Sequence, residues 1–229
     1  MKPLFTSLLI VLALATGAQT FKLADYLPLR IGDSLQLQNM LGDKLPPLVI
    51  AYPDTIRFRG MPVVRRVENG GKQTLERLDA KGWQWFTMGL DKNKELILES
   101  PITILPASVE QGENHVWETS YTLLENKQKR GGGKIRIDIK VEGNDSSRTP
   151  LQNFADCLVF TTTVTRTPTG SLAEGYTLKE WYARDIGLIK AAGEVFALTS
   201  SGKRQSKGRI ALMLERAVIK GKILENPKN

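Results

Sequence analysis

The sequence predicts an all-β, mainly antiparallel fold, with a strongly curved sheet forming an incomplete barrel or sandwich and little helix beyond residues 1–18. Three observations predict it. Apolar and polar residues alternate with period two far more often than with the helical period. Turn residues punctuate the chain at short, regular intervals. The segments between them are rich in Val, Ile, Thr, Trp and Tyr, which suit a pleated, half-buried surface.

The clearest strand is 134–142, where Ile135, Ile137, Ile139 and Val141 alternate with Lys134, Arg136, Asp138, Lys140 and Glu142. One face is built for burial and the other for water. Further strands are expected at 34–38, 55–58, 63–68, 74–79, 83–88, 95–99, 115–124, 157–165, 177–183, 188–192, 195–199 and 208–220. Asn69-Gly70-Gly71 reads as a hairpin turn, as do Asp79-Ala80-Lys81-Gly82 and Asp91-Lys92-Asn93-Lys94. Gly131-Gly132-Gly133 and Ala192-Gly193-Glu194 read as turns between neighbouring strands, and 143–149 as a long polar loop. Helix is confined to short turns near 25–27 and 150–155.

Residues 1–18 read as a cleavable signal peptide: Lys2, an apolar run over 4–15, then Thr16, Gly17 and Ala18. That run is shorter than the roughly 20 residues that span a bilayer. Cleavage after Ala18 leaves 19–229 as one β-rich domain without a transmembrane segment, exported to the periplasm or secreted. Of 229 residues, 41% are hydrophobic and 24% charged, values ordinary for a folded soluble protein. The formal charge of +8 falls to +7 once Lys2 is removed, which suits an anionic partner or plain solubility. The single cysteine, Cys157, excludes an intramolecular disulfide and sits in an apolar strand as a small buried side chain.

Two stretches carry a resemblance. Asp25-Tyr26-Leu27-Pro28-Leu29-Arg30-Ile31-Gly32 is similar to the D-Y-x-P-L-x-x-G opening of uncharacterised exported bacterial β-rich proteins. Glu180-Trp181-Tyr182-Ala183, followed by Gly187-Leu188-Ile189-Lys190, resembles their E-W-Y-A-x-x-x-G-L-x-K segment. In its fuller form that segment reads E-W/Y-Y-A-x-G-V-G-L-V-K, and this chain departs from it at Asp185, where the fuller form has Gly. The resemblance implies an envelope or secreted location and a curved antiparallel sheet, and it implies no activity. The second motif also has a structural reading, a bend at Gly187 with Glu180 and Lys190 pairing across the strands beside it.

No constellation selects catalysis. His115 is the one histidine, so a zinc site is not expected, and no nucleophile elbow accompanies Cys157 or any serine. Acidic pairs such as Glu180 with Asp185, or Glu118 with Asp138, suit glycoside chemistry, yet their spacing suits wet strand faces equally. Residues 129–134 hold glycines and lysines like a phosphate loop, but a strand follows where a helix N-terminus is needed. No catalytic residue, metal site or cofactor is assigned.

The candidate ligand-binding residues are therefore Trp83, Trp85, Trp117 and Trp181, with Lys129, Arg130 and Lys134 as a basic rim. Trp83 and Trp85, two apart in a strand, share a face and can line a cavity. The expectation is a non-enzymatic binding module for an apolar or amphipathic anionic ligand. A structural or interaction protein of the cell envelope without a small-molecule ligand is the alternative, and an unrecognised hydrolase is a third. A lipid, glycan or envelope protein is the expected partner; nucleic acid is not.

Overall fold

The computed structural model describes residues 19–42 and 45–226; the expected signal peptide, 1–18, lies outside them. The chain runs β1 (Thr20–Lys22), α1 (Leu23–Tyr26), β2 (Ser34–Asn39), β3 (Leu48–Phe58), β4 (Met61–Glu68), β5 (Gln73–Asp79), β6 (Gly82–Gly89), β7 (Lys94–Leu105) and β8 (Ser108–Glu110). It continues through β9 (Asn114–Glu125), β10 (Gln128–Arg148), β11 (Asn153–Pro168), β12 (Glu174–Ala183), β13 (Gly187–Leu198), β14 (Arg204–Ile219) and β15 (Lys222–Glu225). Every strand pairing is antiparallel, and β1 and β8 form a small sheet of their own.

The sheet closes, which corrects the expected incomplete barrel or sandwich. Twelve strands form the ring in the order β13, β12, β11, β10, β9, β7, β6, β5, β4, β3, β2 and β14, and β14 pairs back onto β13. Closure rests on the length of β14. Its first part, Arg204 to Met213, pairs with β13, while Leu212 to Val218 pairs with β2. A closed ring satisfies the backbone of both would-be edge strands, which an open sheet leaves bare.

Strand β10 keeps the alternation read from its sequence. Ile135, Ile137, Ile139 and Val141 are buried in the core. The alternate face carries ion pairs, Arg136 with Asp138 at 2.7 Å and Lys140 with Glu142 at 3.2 Å. That charged exterior is the reverse of the apolar band a membrane barrel presents to lipid. No helix among the described residues is long and apolar enough to cross a membrane.

Three expected breaks are instead strand. Gly131–133 and 143–148 lie within β10, which ends one residue short of the expected loop's last position, and Gly193 lies within β13; the β9–β10 turn falls at Asn126 and Lys127. Backbone crowding explains the glycines. A Cβ on Gly133 would stand 2.2 Å from the Thr167 carbonyl oxygen, and one on Gly132 2.6 Å from that of Tyr121. These residues let neighbouring strands approach closely, as a curling sheet requires. The short turn expected near 25–27 is α1, whereas 150–155 holds no helix.

The two motif segments meet although some 155 residues separate them. Segment β1–α1 caps one end of the barrel, burying Phe21, Leu23, Tyr26 and Leu27 in the core. Arg184, in the β12–β13 turn, packs over the Tyr26 ring, donates to its hydroxyl at 2.9 Å and pairs with Asp25 and Asp156. Arg30 pairs with Asp185 at 2.8 Å, and the Asp185 amide donates to the Asp25 carbonyl. Asp185 sits at φ +62, a left-handed conformation that glycine adopts freely and Asp tolerates. A one-residue register shift beside Trp181 places Lys190 opposite Trp181 rather than Glu180, so the expected Glu180–Lys190 pair does not form.

Ile137→Lys should destabilise the protein by several kcal/mol, because it puts an unpaired charge into the core. Ile137→Val should cost only about 0.5–1.5 kcal/mol. Denaturant midpoints of both variants check this; equal, small shifts would mean that this face is not core.

Candidate functional site

A cavity of about 390 Å³ lies within the barrel. Its walls are two arcs of the ring facing each other, β3–β7 on one side and β11–β14 on the other. Small residues keep it open: Thr74 on one arc, Thr162 and Ala191 on the other. Elsewhere the interior is filled by larger side chains, among them Leu96, Leu98, Tyr121, Ile135 and Ile137. Half-exposed Val195 and Lys72 mark the mouth, while Trp83, Ile104 and Tyr182 are deeply buried.

The deep wall is aromatic. The Trp83 ring meets the Trp85 ring edge-on at 5.4 Å and that of Tyr182 at 6.4 Å, and Tyr182 stacks on Phe160 at 4.8 Å. Beside these rings lies a charged network that no sequence motif announces. Arg66 pairs with Glu68 at 2.8 Å and approaches Glu76 at 3.5 Å, and Lys72 pairs with the other oxygen of Glu68 at 2.9 Å. The Trp83 indole N–H donates to Glu76 at 2.7 Å. Across the cavity, Glu180 accepts from the Thr162 hydroxyl at 2.9 Å and the Tyr182 hydroxyl at 3.2 Å.

Burial governs the protonation of these groups. It pushes the Glu76 carboxyl above its usual range against the pull of Arg66 and the Trp83 indole. It raises Glu180 likewise, against the Thr162 hydrogen bond and Arg66. Burial acts to raise Glu68 too, but Arg66 and Lys72 outweigh it and hold that carboxyl low. The hydroxyls of Tyr176 and Tyr182 are pushed up by burial. Among the described residues, Arg66 Nε, Trp85 Nε1 and Glu76 Oε1 are fully buried here without a hydrogen-bond partner, Glu76 Oε1 having only the 3.5 Å approach of Arg66. Arg66 and Trp85 line the cavity itself.

The residues singled out on the sequence divide. Trp83 and Trp85 line the cavity. Trp181 lies on the opposite face of β12 from the cavity-lining Glu180 and Tyr182, between the ammonium groups of Lys179 and Lys190, with its indole N–H on Asp145 at 3.1 Å. Trp117 is partly exposed on β9, beyond the point where β7–β9 pairing stops at Leu98 and Tyr121. Lys129, Arg130 and Lys134 stand on β10 near the β9–β10 turn, Arg130 close to Glu125 and Lys134 to Glu118, and none of the three lines the cavity. The cation at the mouth is Lys72. The His115 ring donates a 3.0 Å hydrogen bond from Nε2 to Glu113, neither residue lining the cavity, and burial pushes the Cys157 thiol up to about 11. Arg66 and Glu68 escaped sequence reading, and Glu180 was read only as a partner of Asp185 or Lys190, because period-two alternation does not reveal which face of a strand turns inward once the sheet closes.

No family model matches the sequence, and no curated protein matches it. Two solved structures are similar to it. One is a protein described as a lipoprotein from Parabacteroides distasonis ATCC 8503, at 12% identity over 82% of this chain and 97% of that one, with a TM-score of 0.43. The other is a protein described as exported, with a YmcC-like fold, from Bacteroides fragilis NCTC 9343, at 14% identity over 84% and 98%, with a TM-score of 0.46.

The raised Glu180 carboxyl yields a signed pH dependence. Its folded-state pKa lies above its unfolded value, so stability tied to the neutral form is complete at low pH and is lost as pH rises through the folded pKa. Glu180→Gln cannot ionise. The melting temperature of Glu180→Gln minus that of the wild type should therefore grow as pH rises from acid to neutral. A difference that stays constant with pH would show that Glu180 does not ionise at a cost.

Proposed function

We propose that the protein is an exported, non-enzymatic binding module whose barrel lumen takes the apolar body of an amphipathic ligand. It acts in the periplasm or outside the cell, after cleavage near Ala18. The observation that carries the reading is the cavity of about 390 Å³, walled by Trp83, Trp85, Met88, Leu178 and Ala191, with Arg66, Glu68, Lys72 and Glu180 as its charged lining. Ligand sites are commonly of this size and kind, mostly apolar with a few placed polar groups.

The carboxyls in the lumen favour binding over hydrolysis. Both oxygens of Glu180 accept bonds from neighbouring hydroxyls, and Glu76 is held by the Trp83 indole and Arg66. Such groups act as fixed acceptors. A general acid needs a proton directed at the substrate.

Native mass spectrometry of the protein purified from its own host tests the proposal. The expected result is a small-molecule adduct that is lost on denaturation and absent from Ala191→Phe, which fills the lumen. A folded wild type with no adduct, and with Trp emission unchanged by any lipid or glycan class, would favour the structural alternative.

A further inference from the structure

One end of the barrel is capped by β1 and α1, and the two ends differ in charge. Antiparallel order puts the turns β2–β3, β4–β5, β6–β7, β9–β10, β11–β12 and β13–β14 at the uncapped end. The cavity mouth, marked by Lys72 and Val195, lies toward this end. The described residues of these turns carry Lys72, Lys92, Lys127 and Lys203 against one carboxylate, Asp91. Several strand carboxylates nearby are already occupied, Glu68 by Arg66 and Lys72, Glu125 by Lys94 and Glu174 by Arg166. Among the described residues, Lys92, Lys127, Lys129, Lys203, Arg204 and Lys207 have no carboxylate partner, and the acids left without an ion pair at this end are Asp91, Glu95 and Glu194. At the capped end cations and carboxylates neutralise one another, Arg184 against Asp25 and Asp156, and Arg30 against Asp185.

The same turns expose aliphatic side chains. Met40, Leu41 and Leu45 on the β2–β3 turn are 46%, 41% and 48% exposed, and Leu172 on the β11–β12 turn is 58% exposed. Single exposed apolar residues are ordinary, but three between 40 and 45 form a group. Ring order sets these two turns on either side of the β13–β14 turn, which carries Lys203 and leads into Arg204. Hydrogen bonds tie the three together: the Met40 amide donates to the Ala211 carbonyl at 2.8 Å, and the Leu198 amide to the Ala173 carbonyl at 2.7 Å. A basic tip thus stands between two aliphatic ones. A protein interface gathers its apolar residues into a central patch with a polar rim. Here they stand apart on projecting turns with cations between them. A lipid surface fits that order, because aliphatic tips enter the acyl boundary while Lys and Arg stay at the level of the phosphates.

We propose that the uncapped end of the barrel docks on an anionic phospholipid surface, with Met40, Leu41, Leu45 and Leu172 entering the acyl boundary and Lys203, Arg204 and Lys207 meeting the phosphates. This docking goes beyond the lumen reading and does not require a filled cavity. Where the lumen does hold an amphiphile, docking turns its mouth toward the bilayer, so the ligand passes between the two without crossing open water.

The test is cosedimentation of the chain from Gln19 to Asn229 with two kinds of vesicle, phosphatidylcholine alone and phosphatidylcholine mixed with phosphatidylglycerol. The mixed vesicles should bind the protein at low salt and release it as salt rises, and phosphatidylcholine alone should bind far less. Lys203→Glu combined with Lys207→Glu should weaken binding at least about tenfold. Lys22→Glu combined with Lys81→Glu makes the same charge change on exposed residues of the capped end and should leave binding intact. Leu172→Asp should also weaken it at least about tenfold. Circular dichroism verifies the fold of each variant. If the mixed vesicles do not bind, the docking proposal is overturned, while an adduct in native mass spectrometry would leave the lumen reading standing. Equal losses in the two double variants would reduce the effect to net charge and overturn the assignment of this surface. Full binding by Leu172→Asp would overturn the entry of the aliphatic tips into the bilayer. Binding to polyglutamate but not to vesicles would make the rim a site for an acidic protein instead.

Discussion

Closure of the sheet through β14 is the constraint on which the rest depends. One strand serves two partners, β13 along its first part and β2 along its second, so the edges that a long curved sheet would expose pair with one another. Once the ring is closed, every strand has an inner and an outer face, and the alternation of residues assigns each side chain to one of them. The faces of β4 and β12 that carry Arg66, Glu68, Tyr176, Leu178, Glu180 and Tyr182 become cavity wall. The size of each inward residue then decides whether a region fills or stays open. Isoleucines and leucines of β7 and β10 fill one part, and Thr74, Thr162 and Ala191 leave space in the other.

The open part is polar at a cost. Charges moved out of water are tolerated only where partners replace the lost hydration. Arg66 is the centre of that replacement, because its guanidinium serves Glu68 and reaches Glu76 on the adjacent strand. The network still leaves donors unpaired in a protein that otherwise satisfies most of its buried groups. A cavity whose only purpose was to be filled would be better lined by leucine. The indoles and carboxyls are thus more informative about the site than its volume.

Much of the fold was legible in the sequence because it is local. Alternation along 134–142 depends only on neighbouring residues, and the turn at Asn69-Gly70-Gly71 on residues that accept positive φ. The bend at Gly187, with φ +103, was legible for the same reason. What the sequence hid depends on residues far apart. Gly131 to Gly133 look like a turn until the carbonyls of Tyr121 and Thr167, from two other strands, are seen to crowd them. The pairing of β2 with β14 joins segments more than 170 residues apart, and no local pattern reports it. The site divides along the same line. Trp83 and Trp85 could be placed on one face from their spacing alone, whereas separating them from Trp181 and Trp117 required the closed ring. Arg66, in a run of charged and apolar residues, reads as an ordinary solvated side chain until its face is known.

The capping segment carries a consequence for the order of assembly. Beyond the Leu27–Leu23 hydrogen bond and the Phe21–Tyr26 ring contact, residues of β1 and α1 are held by distant parts of the chain. Their partners are Ala107, Val109 and Glu110, then Asp156, and finally Arg184 and Asp185. Contacts of such long range return nothing until the intervening chain has been ordered, since the entropy of closing those loops is spent first. The first segment of the described chain is therefore among the last to find its place. It stays unsatisfied while β12 and β13 form the turn that receives Asp25. On the native side the same geometry makes it a separable unit, held by four buried side chains and a few exposed ion pairs. The barrel can thus lose its cap in a local opening without dissolving the ring, and amide exchange would record that motion as an early, partial event distinct from global unfolding.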